Sequence, residues 1–299
     1  HVVDRFDLRK DIRFNTRMED ARYDEAASRW VVRAQDGKHW IAKVLVLCLG
    51  QLSTTKSPAY PGQDAFEGQI LHSGTWPREP VNFTGKRVGI IGTGSSGMQM
   101  TPVIAQQATH LTVFQRTANF SVPAANAPVT DDEDRAVKAG YAERRARAVN
   151  SPTGLGFVPN RKSALEVTPE EREQVYEAAW NRLGYGFALA YHDILLNQAA
   201  NDTAAEFIRR KIREKIHDPV LRDKLTPKGH PFAARRPSVD SGYFEAFNRS
   251  NVELADLREA PITAFTTSGI QTRARHHELD IIVYATGFDA FTGSILKPD

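Results

Sequence analysis

The chain has 299 residues, 41% hydrophobic and 25% charged, a composition that suits a globular protein of about two domains. A formal charge of +3 without any long Lys/Arg tract gives no support to nucleic-acid binding, but suits an anionic cofactor. The single cysteine, Cys48, excludes an internal disulfide and points to a reducing, cytoplasmic compartment; no run of about 18 apolar residues marks a membrane span, and no feature sets an oligomeric state.

In chain order, the first signal is a hairpin. Trp30–Ala34 and Trp40–Ala42 flank the turn Gln35-Asp36-Gly37-Lys38. The apolar run Lys43–Gly50 follows and stops at glycine, as a strand buried inside a parallel sheet does, so Cys48 is expected to be buried. Near the other end of the chain the plan recurs. Ile262–Phe265 and Ile270–Thr272 flank Thr267-Ser268-Gly269, and the apolar run Asp280–Gly287 follows. The second copy is preceded by a strand at Lys86–Ile91 and the turn Gly92-Thr93-Gly94-Ser95-Ser96-Gly97. A helical pattern through Met98, Met100, Val103 and Ile104 comes next, and then a strand at Leu111–Phe114. If the copies are duplicates, a matching βαβ unit is expected ahead of His1.

Residues from about 131 to 228 form a helical insertion, rich in Ala, Glu, Arg and Lys. Thr168-Pro169-Glu170-Glu171 reads as a capping box, with Pro at the first helical position, for a helix running toward Gly184. A second helix is expected after Asn201 or Asp202, stopping before Pro219. The charged stretches Arg144–Arg147 and Arg209–Lys215 read as solvated helix faces.

The G-x-G-x-x-G between strand and helix carries the first chemistry. Gly92 permits the tight turn, Gly94 lets the backbone approach a pyrophosphate, and Gly97 lets helix and strand pack closely. Free N–H groups at the helix start receive the phosphate charge, and the hydroxyls of Thr93, Ser95 and Ser96 add donors. At the end of the next strand, an NAD site would carry Asp or Glu for the ribose 2′-hydroxyl. Gln115-Arg116 stands there instead, and a guanidinium grips a 2′-phosphate, which favours NADP over NAD. The plainer alternative is that Arg116 is a surface arginine.

Between the two copies, Phe66, Gly68, His72, Trp76 and Pro77 match the pattern F-x-G-x-x-x-H-x-x-x-W-P. This resembles the fingerprint of type I Baeyer–Villiger monooxygenases. The resemblance implies an α/β, Rossmann-like flavoprotein with two dinucleotide-binding domains, using FAD and NADP to insert one oxygen atom of O2 beside a ketone carbonyl. Residues 1–78 would be the distal part of the first half of the FAD domain, with the fingerprint linker. Residues 79–290 would be the NADP domain with its helical insertion, and 291–299 the start of the return to the FAD domain. The first FAD βαβ unit and the C-terminal region would then lie outside these residues.

Further segments are similar to the family. Gln51, in Gly50-Gln51-Leu52-Ser53, and Thr286, in Ala285-Thr286-Gly287-Phe288-Asp289, fall at cofactor-contacting positions. In Pro231–Pro237, Arg235 falls near the 2′-phosphate and Arg236 at the catalytic arginine, whose fixed charge stabilises anionic oxygen during attack on the ketone. His72, read without the family, is a satisfied interdomain histidine. A flavin monooxygenase oxidising nitrogen or sulfur is the neighbouring reading, opposed by Trp76-Pro77 and Arg236. An inert NADP-binding module is the reading from another class.

Overall fold

In the computed structural model, which describes residues 1–151, 154, 156, 160–182, 184–290 and 293, the chain divides into two units. One comprises 1–56 with 288–299, the other 57–287. The first opens with a short helix α1 (Val2–Arg5), followed by the antiparallel strands β1 (Met18–Asp24), β2 (Arg29–Ala34) and β3 (His39–Ala42) in the order β1-β2-β3. The expected hairpin joins β2 to β3 in the register Val31↔Ile41, and Gly37 turns the chain at φ +82°.

The expected strand at Lys43–Gly50 is not present. Val44 and Val46 are 73% exposed, Cys48 is exposed, and the segment belongs to no sheet among the described residues. A strand of this composition is stable between two parallel neighbours, which supply its hydrogen bonds and bury both faces. Its counterpart at the other end of the chain has both neighbours; this segment has neither among the described residues.

The second unit is built on a five-stranded parallel sheet. Its strands are β4 (Gln69–His72), β5 (Arg87–Ile91), β6 (His110–Gln115), β9 (Val252–Asp256) and β13 (Ile281–Tyr284), in the order β4-β13-β5-β6-β9. Helix α2 (Ser95–Gln107) connects β5 to β6. The remaining strands are β7 (Ser121–Pro123) paired with β8 (Ser238–Asp240), and the antiparallel sheet β10 (Ile262–Thr266), β11 (Gly269–Thr272), β12 (His276–Glu278). The parallel strands are apolar on both faces because both are covered. Val88, Ile90, Leu111, Val113 and Val283 join the core that contains Met98 and Ile104 of α2. The alternating residues Ile91, Phe114, Ile282 and Tyr284 pack with Phe265, Ile270 and Leu279 of the antiparallel layer.

Because β4 pairs with β13, residue for residue from Gln69↔Ile281 to His72↔Tyr284, the fingerprint segment lies in the second unit. The sequence had placed it with the first, up to residue 78. Of the expected return segment 291–299, all but Gly293 lies outside the described residues.

The insertion supplies α3 (Asp131–Ala139), α4 (Tyr141–Val149), α5 (Pro169–Arg182), α6 (Gln198–Glu214) and α7 (Pro219–Leu225), and α8 (Tyr243–Ala246) follows β8. Of the expected capping box, the Thr168 hydroxyl accepts from the Glu171 N–H at 3.2 Å, while the Glu171 carboxylate pairs with Lys162 at 2.6 Å. Helix α6 starts earlier than expected, because the Asn197 side chain accepts from the N–H groups of Ala199 and Ala200. Nor is its basic face fully solvated. The Arg209 side chain is 22% exposed and lies over the Phe120 ring, and Lys215 reaches the buried Asp240 carboxylate. Both long stems lie along protein while their charges find partners, which charge content alone does not reveal.

One ion pair ties β5 to β13. Asp280 Oδ2 accepts from the Arg87 backbone N–H at 2.7 Å, and Oδ1 accepts from Arg87 Nη2 at 2.7 Å. These bonds to Arg87 hold the Asp280 carboxyl below the usual carboxylate range, against the opposing effect of burial. A carboxyl depressed in the folded state contributes stability above its unfolded pKa, and loses it as pH falls through the folded value. Asp280→Asn should therefore lower the melting temperature at pH 7, with the gap to wild type closing at pH values below about 3.9. A gap unchanged between pH 7 and pH 3 in thermal melts would contradict this.

Candidate dinucleotide site and the arginine loop

The site forms where the parallel strands end. Gly92 follows β5 at φ +112°, and a Cβ there would come within 2.5 Å of the Ala285 carbonyl oxygen. A Cβ on Gly97 would overlap the Gly92 carbonyl oxygen, so this glycine lets α2 rise directly from the turn. Gly94 differs: a Cβ would meet nothing within 4 Å, so its backbone faces open space. It is the N-cap of α2, a helix of 13 residues with no side-chain cap and no acidic residue in its first turn. The uncapped N–H groups and the positive end of the helix dipole fit the pyrophosphate of a dinucleotide. Thr93 Oγ1 is committed to the Thr117 carbonyl at 2.9 Å, and Ser95 Oγ lies 3.4 Å from Ser238 Oγ. Thr93 therefore braces the turn, a role the sequence did not distinguish from ligand donation. Ser96 stands in the same first turn of α2.

Arg116 follows β6 and is exposed. It lines a cavity of about 440 Å³ together with Gln115, Lys224, Lys228 and Arg258. Gln115, almost fully buried, donates from Nε2 to the Lys224 carbonyl at 2.8 Å and so ties β6 to α7. Among the described residues no carboxylate lies within ion-pair distance of Arg116.

The fingerprint residues separate into two kinds. Phe66 is buried against Phe265. A Cβ on Gly68 would overlap the Phe66 ring and come within 2.5 Å of the Asp280 carbonyl oxygen. His72 is 8% exposed; its Nδ1 accepts from the Gly74 N–H at 2.9 Å, and its Nε2 faces Thr286 Oγ1 at 3.4 Å. These three residues pack the segment onto the sheet, and both His72 ring nitrogens face partners in the second unit, Gly74 and Thr286. Trp76 remains 39% exposed, its ring 6.4 Å from Phe83, with Pro77 half-buried beside it.

Arg235 and Arg236 stand on a loop whose base is pinned. The buried Asn201 side chain donates to the Phe232 carbonyl at 2.9 Å and accepts from the Phe232 N–H at 2.9 Å. Ala233 takes φ +63°, a conformation most residues avoid, and Ser238 N–H reaches the Phe120 carbonyl at 3.0 Å. The arginines themselves are exposed. Arg236 lies over the Tyr185 ring with its guanidinium carbon 5.2 Å from the centroid, and Nη2 is 3.5 Å from the Tyr185 hydroxyl. Sequence reasoning missed Asn201, taking it for a helix start, and missed Tyr185 altogether.

Gln51 is exposed in the first unit, whereas Thr286 ends the parallel sheet of the second. The described residues contain one glycine-led turn between strand and helix, so they fit one dinucleotide. A second one, such as FAD, finds no such cradle among them. No helix is long and apolar enough to cross a membrane, and no cluster fit to hold a metal occurs, among the described residues.

Comparison with known proteins agrees with this geometry. Residues 1–125 match the family model described as FMO-like, flavin-binding monooxygenase-like. The chain is 45% identical over 302 residues to a Baeyer–Villiger monooxygenase of Pseudooceanicola batsensis, covering 100% of this chain and 55% of that protein. Among solved structures it is similar to an oxidized steroid monooxygenase bound to NADP, at 51% identity and a TM-score of 0.94, covering 99% of this chain and 57% of the other. It is also similar to OTEMO in complex with FAD and NADP, at 39% identity and a TM-score of 0.95, covering 99% and 57%. The chain thus spans little more than half the length of the relatives it matches.

If Arg116 reads a 2′-phosphate, Arg116→Ala should weaken NADP+ binding about tenfold, the low end for a charge-assisted contact because the side chain is exposed. NAD+ binding should stay within about twofold of wild type by the same reasoning, since NAD lacks the phosphate. Titration calorimetry with both nucleotides checks it; equal losses would mean that Arg116 acts on the fold.

Proposed function

We propose that this chain belongs to the type I Baeyer–Villiger branch of the flavin-binding monooxygenase superfamily, and that it serves NADPH- and FAD-dependent insertion of one oxygen atom of O2 beside a ketone carbonyl, giving an ester or lactone. In this reading residues 57–287 are the NADP-binding domain. NADP lies with its pyrophosphate at Gly92–Gly97 and its 2′-phosphate toward Arg116, with Arg235 nearby, and the fingerprint Phe66, Gly68, His72, Trp76 and Pro77 borders it. Gln51 and Thr286 are the proposed FAD contacts, a cytoplasmic setting fits the one unpaired cysteine, and a small-molecule ketone is the substrate class. When bound, the nicotinamide supplies hydride and the flavin activates oxygen.

The observation that carries the reading is the setting of Arg236. Its loop is anchored through Asn201 and Phe232, while its guanidinium stays exposed over Tyr185, away from any carboxylate within ion-pair distance among the described residues. A cation so placed is available to an oxyanion. When a ketone carbonyl is attacked, its oxygen gains negative charge in the tetrahedral adduct, and a preorganised guanidinium stabilises that charge without a proton to lose. Tyr185 holds the guanidinium by its ring face and hydroxyl, limiting the reorganisation needed when charge develops. Arg235, next in the chain, is left to the cofactor phosphate.

Arg236→Ala in the holoenzyme should reduce ester formation by about 10²–10³, the usual effect of losing one preorganised donor to an oxyanion. NADP+ affinity should change far less. The measurements are product analysis by gas chromatography, hydrogen peroxide release and nucleotide titration. Ester formation at the wild-type rate would remove Arg236 from the chemistry. Preferential oxidation of amines or thioethers by the wild-type enzyme would shift the assignment to the neighbouring reaction class.

A further inference from the structure

Four cations line the cavity beyond β6 and β9, but they are not equivalent. Lys224 is paired with Glu259, and Lys228 with Asp223. Arg116 and Arg258 have no carboxylate within ion-pair distance among the described residues. The third carboxylate of the lining, Asp256, accepts the backbone N–H of Arg258 at 2.9 Å. With four cations against three carboxylates, the lining carries net positive charge, and that surplus is guanidinium.

The sheet brings the two arginines together. β6 and β9 are adjacent and parallel, and Gln115 is the register partner of Asp256 at the end of both. Arg116 comes one residue after Gln115, and Arg258 two after Asp256. Leu257 N–H donates to the Gln115 carbonyl at 2.8 Å, which carries the pairing past the strand ends. Arg258 Nη2 then lies 3.5 Å from Thr117 Oγ1, beside Arg116. His230 is held below its ordinary pKa by burial, with the charges of Arg235, Arg209 and Arg258 acting in the same direction.

We propose that Arg258 is a further jaw of a clamp for the adenosine 2′-phosphate, closing opposite Arg116 from the adjacent strand end in addition to Arg235 of the arginine loop, and that it helps to set preference for NADP over NAD. The inference rests on the NADP reading of the site given above. A phosphate monoester near pH 7 carries nearly two negative charges and three acceptor oxygens, more than one guanidinium saturates. Two forks approaching from adjacent strand ends match that charge. The 2′-hydroxyl of NAD offers neither the charge nor the acceptors, so a second fork adds discrimination rather than general affinity.

The test compares wild-type holoenzyme with Arg258→Ala, Arg258→Lys and Arg116→Ala by titration calorimetry. The ligands are NADP+, NAD+, adenosine 2′,5′-bisphosphate and 5′-AMP. Arg258→Ala should weaken NADP+ and the bisphosphate about tenfold, as for loss of one charge-assisted contact, while leaving NAD+ and 5′-AMP within about twofold. Arg258→Lys should recover part of the loss, because charge returns without the fork. NADP+ binding to Arg258→Ala should also depend less steeply on salt. If Arg116→Ala abolishes the preference while Arg258→Ala leaves it intact, or weakens all four ligands equally, the clamp is overturned and the NADP reading stands. If wild-type protein shows no preference for NADP+ over NAD+, the NADP reading falls and the clamp with it.

Discussion

The pairing of β13 between β4 and β5 joins parts of the chain that are far apart in sequence, and the site is made of what that pairing brings together. Ile281 to Tyr284 runs in register with Val88 to Ile91 on one side and Gln69 to His72 on the other. The Arg87–Asp280 contact, across 193 residues, fixes where that register begins. A slip of one residue would turn Val283 out of its core and carry Ala285 away from Gly92. With the register held, the glycine turn, His72 and Thr286 all emerge at one edge, where open α/β sheets bind their ligands.

At that edge the described residues divide the work between neutral and charged donors. In the proposed NADP reading, the pyrophosphate position falls to backbone N–H groups and a helix end, which bring partial charge without long side chains to order. In the proposed clamp, the outer position falls to guanidiniums at the ends of β6 and β9. Such side chains lose conformational freedom when they engage a ligand, a cost that strong bonds to phosphate offset. This accounts for the contrast in burial, with Gly92 and Gly97 packed close to Ala285 and the arginines left in solvent. Backbone donors must be exactly as close as the turn permits, whereas guanidiniums can reach.

How much of this could be read from the sequence depended on how local each cause was. Gly92, Gly94 and Gly97 were legible because each answers to a nearby backbone requirement. The two hairpins were legible for the same reason, since a turn and its flanking alternation lie within a few residues. Lys43–Gly50 was misread because apolar content shows only that a segment could be a parallel strand, while its neighbours decide whether it is one. Asp280–Gly287 has the same texture and pairs on both sides. Asn201 looked like a helix cap, yet Asn197 does that work, which frees Asn201 to hold Phe232 across 31 residues. Arg258 carried no signal at all, since its meeting with Thr117 spans 141 residues and follows only from the order of strands in the sheet.

The arginine loop extends that logic to chemistry. Burying a guanidinium would require a carboxylate partner to offset its desolvation, and a paired arginine has little charge left for a substrate. Leaving it on a loose surface loop would spread it over many rotamers, and most of its effect on a developing oxyanion would be lost to reorganisation. The fold takes a middle course. It fixes the backbone through a buried asparagine and an alanine held at positive φ, and gives the exposed side chain a tyrosine ring to rest on. The ring attracts the cation without neutralising it. Rigidity therefore sits in Phe232 and Asn201, inside the core, and charge sits in Arg235 and Arg236, outside it. That separation leaves one short segment anchored at its base, with its charges exposed for the chemistry proposed for Arg236.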